Sequence, residues 1–139
     1  MSQSIFSRII SGEEPGEIVY EDSLHAILLS RAPQRPGHSL VVPKREVTRF
    51  YEMDSEAYIS MMQLVRAYAQ RLNEIYKPKV VALEVMGLGV DHVHVHVVPI
   101  EDEHDLDQDR AKFVGLEIIR PEGKKIRSYL AQHPLRELQ

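Results

Sequence analysis

The sequence predicts an α+β protein: a mostly antiparallel sheet with one long helix and short terminal helices. Short apolar runs bounded by Pro, Gly, Asp and Ser dominate residues 18–43 and 79–100. A single segment, 55–76, repeats its apolar residues every three or four positions. No alternation of strand and helix patterns supports a parallel sheet.

Taken in order, Ile5, Phe6, Ile9 and Ile10 have helical spacing over one to two turns, stopped by Gly12 and Pro15. Ile18-Val19-Tyr20 and His25-Ala26-Ile27-Leu28-Leu29 read as strands joined by a tight turn at Glu21-Asp22-Ser23. Pro33, Pro36 and Gly37 enforce a loop before a third strand, Ser39-Leu40-Val41-Val42, ended by Pro43. Asp54 or Ser55 can cap the long helix, whose apolar positions are Ala57, Met61, Leu64, Val65, Tyr68, Leu72 and Ile75; Pro78 ends it. Lys79 to Met86 reads as a strand, Gly87-Leu88-Gly89 as a turn or bulge, and Val90 to Ile100 as the partner strand of a hairpin.

Composition shifts once, at residues 101–109, where six carboxylates fall in nine positions. Such density resists burial, so a solvated loop is expected, separating a catalytic unit over 1–100 from an appendix over 101–139 in the same globule. The appendix reads as a strand at Phe113 to Ile119, then a short helix from Pro121 to His133 with Pro at its start.

A chain of 139 residues with 43% hydrophobic content suits one domain. It holds no Cys, which excludes disulfides, thiolate zinc fingers, iron–sulfur clusters and a Cys nucleophile. A net charge of −4 provides no basic footprint for nucleic acid, so no nucleic-acid partner is expected. No secretory leader pattern and no run of about 18 apolar residues occur, so no membrane partner is expected and the expected location is cytoplasmic.

The chemistry concentrates in His92-Val93-His94-Val95-His96-Val97-Val98-Pro99. Strand alternation puts His92, His94 and His96 on one face at steps of roughly 6.6 Å, with the valines on the other. Core packing gives no reason for three imidazoles in a row, each needing its own hydrogen-bond partners. Two chemistries fit. Imidazoles at i and i+2 can ligate a divalent metal. Alternatively, one neutral imidazole attacks or abstracts a proton while its neighbours donate N–H bonds to phosphoryl oxygens.

The block His92 to Val98 resembles the His-x-His-x-His-x-x signature of the histidine-triad family of nucleotide hydrolases and transferases. The resemblance extends to Ile5-Phe6-Ser7-Arg8-Ile9-Ile10, to Val19-Tyr20-Glu21-Asp22 and to Pro36-Gly37-His38-Ser39-Leu40-Val41-Val42-Pro43-Lys44, spanning about residues 4–100. It implies a homodimer whose sheet continues between protomers with the long helix packed on it. It implies that His94 attacks the α-phosphorus of a nucleoside phosphoramidate, acyl-nucleotide or similar derivative. The covalent nucleotidyl-histidine is then hydrolysed. His96 would contact phosphoryl oxygens and assist the leaving group, His92 would support the geometry, and His38 would complete the network. Substrate contacts are implied for Phe6, Ile9, Leu28, Ser30 and Gly89, with no metal and no cofactor.

Leu28 and Ser30 stand where the family commonly has an aromatic residue and a ribose-binding Asp. A hydroxyl cannot accept two bonds from a diol as a carboxylate can. Gly87-Leu88-Gly89, Asp91 and Glu46 also depart from the common pattern, and the Gly-Leu approach and Glu46 resemble a bacterial and archaeal branch. These departures keep two alternatives open: a nucleotide-binding module with little catalysis, and a metal enzyme using His92, His94 and His38 or His96.

Weaker signals have plainer readings. Arg31, Arg35, Lys44, Arg45 and Arg49 could attract a polyphosphate but fit solvated loop charges better. Gly87-x-Gly89 lacks the third Gly and following helix of a dinucleotide fingerprint. His25, His104 and His133 read as structural or surface residues, and Met61 as packing.

Overall fold

The computed structural model describes residues 3–138. Helix α1 spans Ile5–Ser11, α2 Ser55–Tyr76 and α3 Leu116–Gln132; the strands are β1 Ile18–Glu21, β2 His25–Leu29, β3 Ser39–Pro43, β4 Val80–Glu84 and β5 Val95–Ile100. They form one sheet in the order β1-β2-β3-β5-β4, and every neighbouring pair is antiparallel.

The β1–β2 turn is made by Asp22, whose Oδ1 accepts the amides of Leu24 and His25 at 2.8 and 2.7 Å. His25 is buried, with Nδ1 3.1 Å from the same carboxylate, a structural role. Every residue of β2 and β3 is buried, because helices cover both faces there. On one face Ile27, Val41, Val95 and Val97 pack against Leu64, Val65, Tyr68 and Leu72 of α2. On the other, Ala26, Leu28, Leu40 and Val42 pack against Phe6 of α1.

Helix α2 starts after Asp54, whose side chain makes no capping bond, and ends where Lys77 enters the left-handed region at φ 48° before Pro78. Its Tyr68 hydroxyl donates to Ser39 Oγ at 2.7 Å, and Ser39 passes its own proton to Gly37 O at 2.8 Å. That chain ties the helix to β3 at the loop carrying His38. Among the described residues no helix is long and apolar enough to cross a membrane.

Three expectations need correction. The strand expected over Val90 to Ile100 begins only at Val95, and residues 85–94 form a wide connection in which Gly87 and Gly89 take positive φ. Val93 N donates to Val47 O at 2.8 Å instead of to a sheet neighbour, which holds this stretch off the ladder. No strand forms at 113–119; the helix starts at Leu116 and runs 17 residues with Pro121 inside it. Pro121 lies on the exposed side, so the Glu117 carbonyl it leaves unbonded faces water.

The acidic stretch is not uniformly solvated either. Asp105 is 4% exposed, because Oδ2 accepts the amides of Glu101 and Asp102 while Oδ1 accepts from Arg110 at 2.9 Å. Those bonds hold its carboxyl below its ordinary pKa, the Glu101 amide contributing most. Beyond this turn Ile119, Ile126, Leu130 and Leu135 join the α2-side core. Helix α3 meets β1 closely: Gly123 faces Glu17, which pairs with Arg127, and Arg127 donates to Ile18 O at 3.1 Å.

Candidate functional site

The three histidines lie on the α1 face although only His96 belongs to a strand. The extended chain before Val95 keeps the two-residue alternation, so Val93, Val95 and Val97 enter the α2-side core. Leu40 of β3 pairs with His96, which brings the loop just before β3 beside the cluster.

Each imidazole has a tautomer dictated by its partners. His92 Nε2 lies 2.7 Å from Pro43 O, and a carbonyl only accepts, so Nε2 carries the hydrogen. His92 Nδ1 is then an acceptor, filled by Ser4 Oγ–H at 2.6 Å. His94 Nδ1 lies 2.7 Å from His92 O and must donate to it. Its Nε2 is thus a bare lone pair in the neutral ring, and no group among the described residues bonds it.

The second pair follows the same logic. Gln34 N–H donates to His38 Nδ1 at 3.1 Å, so the His38 hydrogen sits on Nε2 and points to His96 Nδ1, 2.9 Å away. His96 therefore keeps its own hydrogen on Nε2, an outward donor. The His94 and His96 rings have centroids 5.2 Å apart. One ring offers a lone pair and its neighbour an N–H, the combination needed to attack a phosphorus and hold its oxygens.

Burial keeps the rings around His94 neutral. It lowers the His38 pKa to about 3 and the His96 pKa to about 4, and in each case a neighbouring imidazole adds to the effect. Burial likewise lowers the pKa of His92, against the raising influence of the Pro43 carbonyl and Glu46. Glu46 binds the α1 N-terminus: it accepts from Ser4 N and, at 3.0 Å, from Ser7 Oγ, and the Ser4 amide bond is the main reason its pKa is lowered.

The structure brings His38, His92, His94 and His96 together with Phe6, whose ring meets His94 and His92 edge-on at 5.0 and 5.6 Å. Phe6, Ile9 and Leu28 line a cavity of about 300 Å³ with Ile5 and Leu40. Ser30 does not line it. Its hydroxyl accepts the Ala32 amide at 3.1 Å, and it borders a separate cavity of about 250 Å³ behind His38. Gly89 stands in the open connection, with nothing within 4 Å of where a Cβ would lie. A third cavity, about 140 Å³, joins His94 to Arg49, Phe50, Tyr51, Met86 and Leu88.

Lys44, Arg45 and Arg49 each approach a carboxylate within 4.0 Å, as solvated loop charges do, whereas Arg35 approaches the buried Asp105 at 3.9 Å. Sequence reasoning missed Ser4, Pro43 O and the Gln34 amide. Ser4 was discoverable as the cap of α1, since it precedes the apolar run and accepts the Ser7 amide at 3.1 Å. The other two are backbone groups and leave no trace in residue identity.

Comparison with known proteins agrees with this fold. A family model, HIT domain, matches residues 11–103. The chain is 35% identical over 99 residues to an uncharacterized HIT-like protein of Methanocaldococcus jannaschii, covering 68% of this chain and 77% of that one. It is 30% identical over 100 residues to the adenosine 5'-monophosphoramidase of Schizosaccharomyces pombe, covering 71% and 75%. A crystal structure of a hypothetical histidine triad nucleotide-binding protein from Sulfolobus tokodaii superposes with a TM-score of 0.79 at 25% identity over 91% of both chains.

Proposed function

Because this chain belongs to the HIT domain family, we propose that it is a nucleotidyl hydrolase or transferase acting at the α-phosphate of a nucleoside phosphoramidate, acyl-nucleotide or related derivative. The observation that carries the reading is the His94 ring: Nδ1–H is held by the His92 carbonyl at 2.7 Å, which leaves Nε2 as the nucleophile.

His94 Nε2 attacks the α-phosphorus; the Nε2–P bond forms as the bond to the leaving group breaks. An acyl leaving group departs as the carboxylate, and an amine departs with a proton drawn from water. Attack places positive charge on the ring, and the His92 carbonyl at Nδ1–H stabilises it. His96 Nε2–H donates to the phosphoryl oxygens or to the leaving atom, with His38 holding that tautomer from behind. Water then attacks phosphorus, the Nε2–P bond breaks, and the nucleoside monophosphate and free His94 result. The sequence identity to a monophosphoramidase supports the substrate class.

The donor set argues against the metal alternative. With His92 and His38 engaged at both nitrogens, only His94 Nε2 and His96 Nε2 face outward, fewer than the three or four protein ligands of ordinary zinc sites.

The homodimer belongs to the same proposal. The edge strand β1 is covered by α3, while β4 at the other edge carries exposed Val80 and Leu83, followed by exposed Val85 and Met86. An unpaired apolar edge of this kind is where a second copy would extend the sheet.

His94→Asn decides the catalytic reading. It should abolish turnover of adenosine 5'-monophosphoramidate and the trapped nucleotidyl-protein adduct while the circular dichroism spectrum stays native. Undiminished turnover, or AMP binding by the wild type without any turnover, overturns it, the latter in favour of a binding module.

A further inference from the structure

The cavity that runs from Phe6 beside His94 has an apolar floor of Ile5, Ile9, Leu28 and Leu40. Its polar and aromatic rim comes from elsewhere: Glu14 after α1, Arg31 after β2, and Phe113 from the segment before α3. Phe113 is 74% exposed, the largest exposure of any large apolar residue described. It is nevertheless fixed. Val114 N donates to Arg31 O at 2.8 Å, Arg31 Nε donates back to Val114 O at 3.2 Å, and the Arg31 guanidinium lies 4.6 Å from the Phe113 ring centroid.

Exposing a phenyl ring while the backbone of the next residue is anchored at two hydrogen bonds is costly for stability alone. A ring held at a cavity mouth by a cation–π contact is presented for use. Within the cavity the remaining aromatic lining residue, Phe6, is already occupied edge-on with two imidazoles. Arg31 pairs with no carboxylate among the described residues, so its charge also stays at the rim.

We propose that Phe113 is the base-stacking residue of the nucleotide site, with Arg31 as the clamp that orients it, so that the segment after the acidic turn determines substrate selection. The inference rests on the nucleotide reading of the His94 site. With the phosphate at His94, a nucleoside extends over Phe6 into the apolar cavity, and the base reaches the rim where Phe113 presents a free π-face. A stack of this kind tolerates any base but requires one.

The test is calorimetric titration of AMP and, in parallel, ribose 5-phosphate into wild type, Phe113→Leu and Phe113→Tyr. One base–aromatic stack predicts that Phe113→Leu weakens AMP about tenfold. Phe113→Tyr should bind AMP as wild type does, and all three proteins should bind ribose 5-phosphate alike. Equal AMP binding by Phe113→Leu and wild type overturns the proposal, as does an equal loss for both ligands. A wild type that binds neither ligand overturns it too. Failure of the catalytic reading is seen separately: absent phosphoramidate turnover leaves the difference between AMP and ribose 5-phosphate intact.

Discussion

His94 turns its Nδ1–H onto the backbone carbonyl of His92, 2.7 Å away, two residues back in its own chain. The ring proposed as nucleophile is therefore oriented by the main chain, not by a carboxylate. Mutation of the His92 side chain cannot remove that acceptor, but it can move it, because the His92 ring is pinned at Pro43 O and Ser4 Oγ.

Ser4 should consequently matter twice. Ser4→Ala removes both the cap of α1 and the donor to His92 Nδ1, and should cost about 1–3 kcal/mol of stability. It should also lower kcat for phosphoramidate, while Ser4→Thr restores much of both. Urea denaturation paired with steady-state kinetics checks this; unchanged kcat in Ser4→Ala would mean the His92 ring position is irrelevant to attack.

Acid should destabilise the fold before its carboxylates titrate. The His38 and His96 pKa values, about 3 and about 4, lie below the ordinary 6.5, so the unfolded chain takes up protons first as pH falls. Their contribution is fully present above pH 6.5 and is lost as pH falls toward those folded values. The slope is up to about 1.4 kcal/mol per pH unit for each ring. Denaturation midpoints between about pH 7.5 and 5 should fall steadily, less so in His38→Asn; a flat profile contradicts neutral burial of the pair.

Gly123→Ala should destabilise, against the helix propensity of alanine, which would ordinarily contribute about 0.5–1 kcal/mol. A Cβ there would collide with the Glu17 carboxylate and lie 2.5 Å from its Cγ, and Glu17 is buried and held by Arg127. The collision should outweigh the gain and cost about 1–3 kcal/mol net. Thermal unfolding reads the sign directly, and adding Glu17→Ala should recover part of the loss.

Leu83→Arg should convert a dimer to a monomer in light scattering. Leu83 is 46% exposed on the β4 edge, where a charge would be buried against a second copy without a partner. A monomeric wild type would remove the proposed sheet continuation.

The α+β class, α2 and its end at Pro78, the short α1 and the first three strands are all legible in the sequence, since each follows from local periodicity and turn residues. The late start of β5 is not, because the stretch from Val90 to His94 has strand composition but its Val93 amide bonds to Val47 O instead of a ladder neighbour. Helix α3 is misjudged for a similar reason: Pro121 reads as a start, yet its lost hydrogen bond falls on an exposed face where water replaces it. Asp105 looks solvated by composition and is buried by a turn that supplies two amides and an arginine.

Residue order alone placed three imidazoles on one side of an extended segment, because side-chain alternation is a local property of the backbone. Composition alone established that no thiol could serve instead. Which ring nitrogen is free had to await the folded chain: tautomers depend on Pro43 O, Ser4 Oγ, His92 O and the Gln34 amide, and the first two of these partners are distant in sequence. The aromatic rim likewise exists only after folding, which brings Phe113 to Arg31 from a remote part of the chain to complete a cavity that neither segment could form alone.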